Sequence, residues 1–135
     1  MKEIFVTSAL RTAVGSLGKT LKNVSAENLG SHVISALIKN SNLNGSDIDE
    51  VILGQVLTGG AGQNPARQAA IRSGIPIEKP AFIVNQVCGS GIRSVASGFQ
   101  SIISGDAKIV IAGGQENMSL APHAIHLREG KKLGN

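Results

Sequence analysis

The chain alternates short apolar segments with segments of helical periodicity, and this order limits its fold more than any other feature. Four segments are largely apolar without the in-out alternation of a half-exposed strand, and they cover Ile4–Ala9, Val51–Gly54, Ala81–Val84 and Ile109–Ala112. Strands of this kind are typical of parallel sheets with helices on both faces. The sequence therefore predicts an α/β fold with three layers, α/β/α, around a mostly parallel sheet.

Three helices are predicted between these strands. They cover residues 26–40, 65–73 and 90–104. Ser25 and Asn64 are suited to cap the first two, and Pro65 has the preferred first helical position. The third helix has the strongest helical period, and we expect it to be buried on two faces because it also has a stripe of small residues. That stripe consists of Gly91, Ser94, Gly98 and Ser101.

The composition of the 135 residues narrows the class of protein. The net charge of +4 is scattered, and with three Phe and no Trp or Tyr the chain lacks the clustered cations and stacking platforms of nucleic-acid-binding proteins. The single cysteine excludes an internal disulfide and fits a reducing compartment. Neither a signal peptide nor an apolar run of the ~20 residues that span a bilayer is present. We therefore predict a soluble, cytoplasmic protein without membrane or nucleic-acid partners.

Two nucleotide-binding patterns are incomplete. Residues 13–20 match a loosened P-loop, but the helix that should begin at the Gly-Lys-Thr begins only after Ser25. Residues 60–65 approach a dinucleotide-binding loop, but Pro65 occupies the place of its last glycine. We predict neither kind of nucleotide site.

Cys88 lies between the end of a predicted strand and the start of the third helix. That turn places it at the carboxyl edge of the sheet, where α/β folds bind ligands. Free amides at the helix N-terminus favour a thiolate and can stabilise an oxyanion on a thioester carbonyl. The alternative is a buried structural cysteine, the common role of a lone Cys. The local sequence leaves both interpretations open.

The three histidines give weaker signals. His32 flanks the apolar face of the first helix, so a packed or half-exposed role is expected. His123 and His126 are three residues apart, but no Asp or Cys joins them at the spacing of a metal site, so no metal is predicted. A Cys88–His123 dyad remains open.

Four ordered blocks resemble signatures of the thiolase family, in detail those of its acetyl-CoA acetyltransferase type. They are residues 9–15, residues 54–57 with 62–69, residues 85–91 and residues 112–119. The resemblance implies that Cys88 is the nucleophile that carries an acyl group as a thioester, with its own backbone N–H as an oxyanion donor. It also implies that Gly89, Ser90 and Gly91 shape the substrate pocket.

The reaction implied by this resemblance is thioester exchange followed by Claisen condensation. One acyl-CoA acylates the cysteine, and a second acetyl-CoA, deprotonated at its α carbon, attacks the enzyme thioester; the reverse direction cleaves a 3-ketoacyl-CoA. Coenzyme A enters as a thioester substrate, so neither cofactor nor metal is implied. The activity would belong to fatty acid metabolism.

The resemblance covers only the N-terminal third of a thiolase, since such enzymes are roughly three times this length and contain two similar halves and a loop domain. Residues 1–118 are predicted to form an incomplete core and residues 119–135 the truncated start of the loop domain. The family's base, its second catalytic cysteine and a fifth strand between the first and fourth lie in the missing part. The chain is therefore expected to be inactive alone and to need the C-terminal thiolase half as a partner.

Further expectations concern the oligomeric state of the complete enzyme and the alternatives to a thiolase. The complete enzyme is expected to be a homodimer or tetramer, paired across the third strand from Ala81 to Asn85, which is expected to lie at an edge of the sheet. One alternative is a ketosynthase-like condensing enzyme, which shares the fold. Another is a non-catalytic remnant that only docks to a partner.

Overall fold

The computed structural model describes residues 3–125, and its regular elements follow the predicted order with one exception. They are helix α1 (Ala26–Asn40), strand β1 (Glu50–Gly54), helix α2 (Pro65–Arg72), strand β2 (Ala81–Val84), helix α3 (Ser90–Ser104) and strand β3 (Val110–Gly114). Two short 3-10 helices, Gly45–Asp47 and Met118–Leu120, complete the set in this part of the chain.

The start of α2 and the end of α3 agree with the capping residues in the sequence, whereas Ser25 takes the N-cap position of α1 without a capping hydrogen bond from its side chain. Asn64 caps α2 by accepting a hydrogen bond from the Arg67 N–H at 3.1 Å, with Pro65 at the first helical position. Gly105 ends α3 in the left-handed conformation (φ 90°), which glycine adopts without a steric penalty. Local chemistry therefore determines where these helices begin and end.

The strands form a parallel sheet in the order β2-β1-β3. In the central strand, Val51 pairs with Ala81 on one side and with Ile111 on the other. The prediction of a parallel sheet is confirmed, and β2 lies at an edge as expected. The fourth predicted strand begins one residue later than expected and continues to Gly114.

Helices cover both faces of the sheet, which confirms the three layers. On one face, Val51 and Leu53 belong to a buried core with residues of α1, α2 and their neighbouring loops. Those residues are Ile34, Ile48, Ala66, Ala69, Ala70 and Ile75. On the other face, α3 lies so close that a Cβ added at Gly98 would be 3.1 Å from Val110 Cγ1.

The prediction of a strand over Ile4–Ala9 is wrong in this structure. The segment has no strand assignment, and Phe5 and Val6 are 75% and 82% exposed. A strand exists only through hydrogen bonds to a neighbour, and a cleft of about 1180 Å³ lies between this segment and the free edge of β3. The segment thus has the composition of a strand, but residues 3–125 provide no adjacent strand for it to pair with.

The loop between this segment and α1 is fixed by residues that follow β3. Asn117 Nδ2 donates to the backbone carbonyls of Leu21, Lys22 and Val24 at 3.1, 3.2 and 2.5 Å. The Gly18 N–H donates to Ser119 Oγ at 2.9 Å. The predicted domain boundary after residue 118 remains a prediction, since residues 126–135 lie outside the described residues.

Candidate active site

Cys88 lies in the loop that joins the carboxyl end of β2 to the first turn of α3, and it is exposed. The alternative of a buried structural cysteine is therefore wrong. The structure gives the Cys88 N–H no hydrogen-bond acceptor within residues 3–125, although the neighbouring amides of Val87, Gly89 and Ser90 all donate. This amide is available to an oxyanion that forms beside Sγ.

The loop around Cys88 has an unusual backbone. Val87 adopts φ 51°, a left-handed conformation that costs a β-branched residue about 1–3 kcal/mol. Asn85 supports this conformation because its Oδ1 accepts the Val87 N–H at 3.0 Å. Ser90 supports it from the other side, since its Oγ donates to the Val87 carbonyl at 2.6 Å.

The three residues expected to shape the pocket differ in position. Ser90 is 3% exposed, and its hydroxyl bonds to the loop backbone. Gly91 lies against the strands, because a Cβ at Gly54 would be 2.5 Å from the Gly91 nitrogen and even closer to the Ser90 carbonyl carbon. Gly89 precedes α3, where an added Cβ would be 3.3 Å from the Gln86 carbonyl oxygen. Ser90 and Gly91 thus support the site from beneath.

A polar network that the sequence analysis missed supports the loop beside Cys88. Gln55 and Gln115, only 2% and 6% exposed, follow the neighbouring strands β1 and β3, and Gln115 Nε2 donates to Gln55 Oε1 at 2.8 Å. The Glu116 carboxylate accepts the N–H groups of Val56 and Leu57 at 2.8 and 3.3 Å. Polar residues directly after two apolar strands were the signal that could have revealed this network.

The network connects to the cysteine loop through one further contact. Asn85 Nδ2 donates to the Val56 carbonyl at 3.2 Å, so the residues after β1 and after β2 are joined. The same Asn85 side chain accepts the Val87 N–H. The carboxyl ends of all three strands therefore contribute to the position of Cys88.

The histidines do not join this site in the described structure. Within residues 3–125, Cys88 and His123 share no hydrogen bond, and His32 is exposed on α1. His126 lies outside the described residues. Among residues 3–125, no three His, Cys, Asp or Glu side chains come together as a metal site would require.

The cleft that separates residues 4–17 from β3 extends to the cysteine loop. Cys88 and Val87 line it together with apolar side chains of α3 and the edge residues of β3.

In the described part of the chain, every helix is too short or too polar to cross a bilayer.

Known proteins are similar to this chain in sequence and in fold. A family model described as "Thiolase, N-terminal domain" matches residues 4–135. An acetyl-CoA acetyltransferase from Rhizobium meliloti (strain 1021) is 53% identical over 132 residues, which are 98% of this chain and 34% of that protein. The cytosolic acetyl-CoA acetyltransferase of Rattus norvegicus is 47% identical over 131 residues, which are 97% of this chain and 33% of that protein.

A solved structure agrees with these sequence matches. The crystal structure of a thiolase from Ascaris suum in complex with coenzyme A superposes with a TM-score of 0.80 at 43% sequence identity. The match covers 82% of this chain and 29% of that one. The chain thus spans about a third of the length of the relatives it matches.

Proposed function

This chain belongs to the thiolase family, which confirms the resemblance inferred from its four motifs, and from this premise we propose that it is the segment of an acetyl-CoA C-acyltransferase that carries the acyl-accepting cysteine. The observation that carries the proposal is the exposed Cys88 at the start of α3, with its own N–H free of any acceptor in the described residues. A thiol and an amide at one residue supply the nucleophile and an oxyanion donor together.

The proposed reaction has two steps. In the first, Cys88 Sγ loses its proton and attacks the thioester carbonyl of an acyl-CoA; the bond from that carbon to coenzyme A breaks, and coenzyme A leaves as the free thiol. In the second, an acetyl-CoA loses a proton from its α carbon and attacks the acyl-enzyme carbonyl. A carbon–carbon bond forms, the bond to Sγ breaks, and the cysteine is protonated again. In the reverse direction the same steps cleave a 3-ketoacyl-CoA, as in fatty acid metabolism.

The proposed partner is the polypeptide that corresponds to the remaining two thirds of a thiolase. The cleft is lined by residues of β3, an edge strand of the described sheet, and by the segment Ile4–Ala9. A strand placed between them would pair with both, and the segment Ile4–Ala9 would then become a strand. The proton-transferring base would come from the same partner.

The outer face of α3 supports the same partner. Its apolar side chains Ile92, Val95, Phe99 and Ile103 are 73%, 43%, 51% and 43% exposed. Soluble proteins rarely leave a contiguous apolar face of this kind uncovered.

The complete enzyme is further proposed to be cytoplasmic, as the name of the rat relative states for that protein. It is also proposed to pair with a second copy through β2, the short apolar strand at the other edge of the sheet.

Acetylation of Cys88 tests the proposal directly. The chain, alone and mixed with the C-terminal two thirds of an acetyl-CoA acetyltransferase, is incubated with acetyl-CoA, digested and analysed by mass spectrometry. We expect an acetyl group on the peptide that contains Cys88 in the mixture, and none after Cys88→Ser.

The same experiment can contradict the proposal. A mixture that associates but leaves Cys88 unmodified would favour the non-catalytic docking module. Condensation rates near those of a complete thiolase for the chain alone would show that the base is present here, and would favour the Cys88–His123 dyad.

A further inference from the structure

The Ser90 hydroxyl closes the loop that presents Cys88. Its Oγ accepts the Gln86 N–H at 2.9 Å and donates to the Val87 carbonyl at 2.6 Å, so one buried side chain binds the backbone on the N-terminal side of the cysteine twice. Only 3% of Ser90 is exposed, so water does not replace these bonds in the folded chain. Both bonds span Cys88, because they join Ser90 to the two residues that precede the cysteine.

Val87 shows why the loop needs this support. A β-branched residue at φ 51° returns to an extended or right-handed helical conformation unless its surroundings prevent it. The Ser90 hydroxyl bonds to the carbonyl of this residue, and the Asn85 side chain bonds to its N–H. A change in the backbone at Val87 would rotate the next peptide, whose N–H belongs to Cys88.

We propose that Ser90 is a positioning residue for Cys88: its hydroxyl holds the peptide between Val87 and Cys88 in the orientation in which the Cys88 N–H can donate to an oxyanion on the carbon that Sγ attacks. The inference rests on the proposed nucleophilic role of Cys88. It adds a second task to the pocket-shaping role expected of Ser90, because its buried hydroxyl bonds to the backbone of the loop.

Ser94 provides a matched control one turn further along α3. It is also a completely buried serine, and its hydroxyl lies 2.6 Å from the carbonyls of Gly91 and Gly113. Ser94→Ala therefore removes an equivalent buried hydroxyl from the same helix without touching the loop. A loss of stability alone would affect Ser90→Ala and Ser94→Ala alike.

The test compares two reactions of the same thiol, which is simple because Cys88 is the only cysteine in the chain. Iodoacetamide alkylates Sγ at a saturated carbon and forms no oxyanion, whereas S-phenyl thioacetate acylates Sγ through a tetrahedral oxyanion. The ratio of the two rate constants cancels changes in exposure and ionisation of the thiol. Both rate constants of each variant are measured on the same preparation, and circular dichroism verifies that the variant is folded.

We expect Ser90→Ala to lower the ratio of acylation to alkylation by about tenfold, a part of the 10²–10³-fold that loss of an oxyanion donor costs in enzymes. Ser94→Ala should leave the ratio within about twofold, and Ser90→Thr, which keeps the hydroxyl, should restore it. Equal ratios in the two alanine variants would overturn the proposal, as would a Ser90→Ala chain that unfolds where Ser94→Ala remains folded. Failure of acetyl-CoA to modify wild-type Cys88 would instead contradict the proposed function, so the two failures are distinguishable.

Discussion

Asp49 shows how one side chain joins the starts of two neighbouring strands, β1 and β3. Its Oδ2 accepts the N–H groups of Lys108 and Ile109 at 2.8 and 3.0 Å, just before β3, while Asp49 itself precedes β1. Lys79 Nζ lies 3.7 Å from Oδ1. The hydrogen bonds from the Lys108 and Ile109 amides outweigh partial burial and, with the charge of Lys79, hold the pKa of Asp49 below its ordinary value.

The sign of the resulting pH dependence follows from this lowered pKa. The carboxylate stabilises the fold at neutral pH, and the contribution is lost as the pH falls from the ordinary pKa of Asp, about 3.9, through the lower folded value. Asp49→Asn should cost about 1 kcal/mol at pH 7, a figure reduced because a third of the side chain is exposed to solvent. Apparent urea midpoints at pH 7 and pH 3 measure it. A wild-type minus variant difference that does not shrink at pH 3 would contradict the assignment.

The sequence revealed Cys88 more readily than the residues that hold it. A lone cysteine between a strand and a helix is a local pattern, and its position at the carboxyl edge follows from the alternation of elements. The direction of the Ser90 hydroxyl, by contrast, depends on the left-handed conformation of Val87, which no local pattern predicts. The pairing of Gln55 with Gln115, sixty residues apart, depends on which strands are neighbours.

Helix α3 approaches strand β1 most closely where glycine leaves the backbone bare. Gly54 ends β1 directly beneath the first turn of α3, and an added Cβ would overlap the backbone of Ser90 and Gly91. The contact places the N-terminus of α3, and with it Cys88, over the carboxyl edge of the sheet. A backbone contact of this kind cannot be relieved by a change of rotamer.

Gly54→Ala should therefore destabilise the chain by at least about 1–3 kcal/mol, the usual cost of overpacking. Gly113→Ala is the control, because Gly113 lies in the neighbouring strand and an added Cβ there meets nothing within 4 Å. Its effect should stay within about 0.5 kcal/mol. Apparent thermal midpoints of the two variants are measured by circular dichroism. Equal shifts would show that the close approach of α3 to Gly54 does not affect stability.

Elements were predicted correctly where their signals are local. Asn64 with Pro65 marks the start of α2, and Gly105 marks the end of α3, so these helices needed no tertiary information. The segment Ile4–Ala9 failed for the opposite reason. Its composition favours a strand, but pairing requires a neighbour, and the free edge of β3 lies across a cleft of about 1180 Å³.

In the part of the chain that the structure describes, the whole molecule leaves apolar surface exposed at two places. Within residues 3–125, β3 has a strand neighbour on one side only and the cleft on the other, and Ile4–Ala9 contributes little to the core because Phe5 and Val6 are mostly exposed. On the opposite face of the sheet from α1 and α2, the outer surface of α3 exposes four large apolar side chains. We expect this much uncovered apolar surface to favour association with a second copy or with a partner.

We therefore expect the isolated chain not to unfold in a single steep transition. A domain is stable by only about 5–15 kcal/mol. Burying one large apolar side chain would contribute about 1.5–3 kcal/mol. In this chain the apolar side chains of the N-terminal segment and of outer α3 are only partly removed from water, so much of that contribution is missing. Urea unfolding followed by circular dichroism should give a broad transition, with binding of a hydrophobic dye before it. The C-terminal two thirds of a thiolase, added to the chain, should sharpen the transition, abolish dye binding and protect the amides of residues 4–9 from hydrogen exchange, because that segment would gain a strand partner. A soluble monomer with one steep transition and no dye binding would show that three strands and three helices suffice.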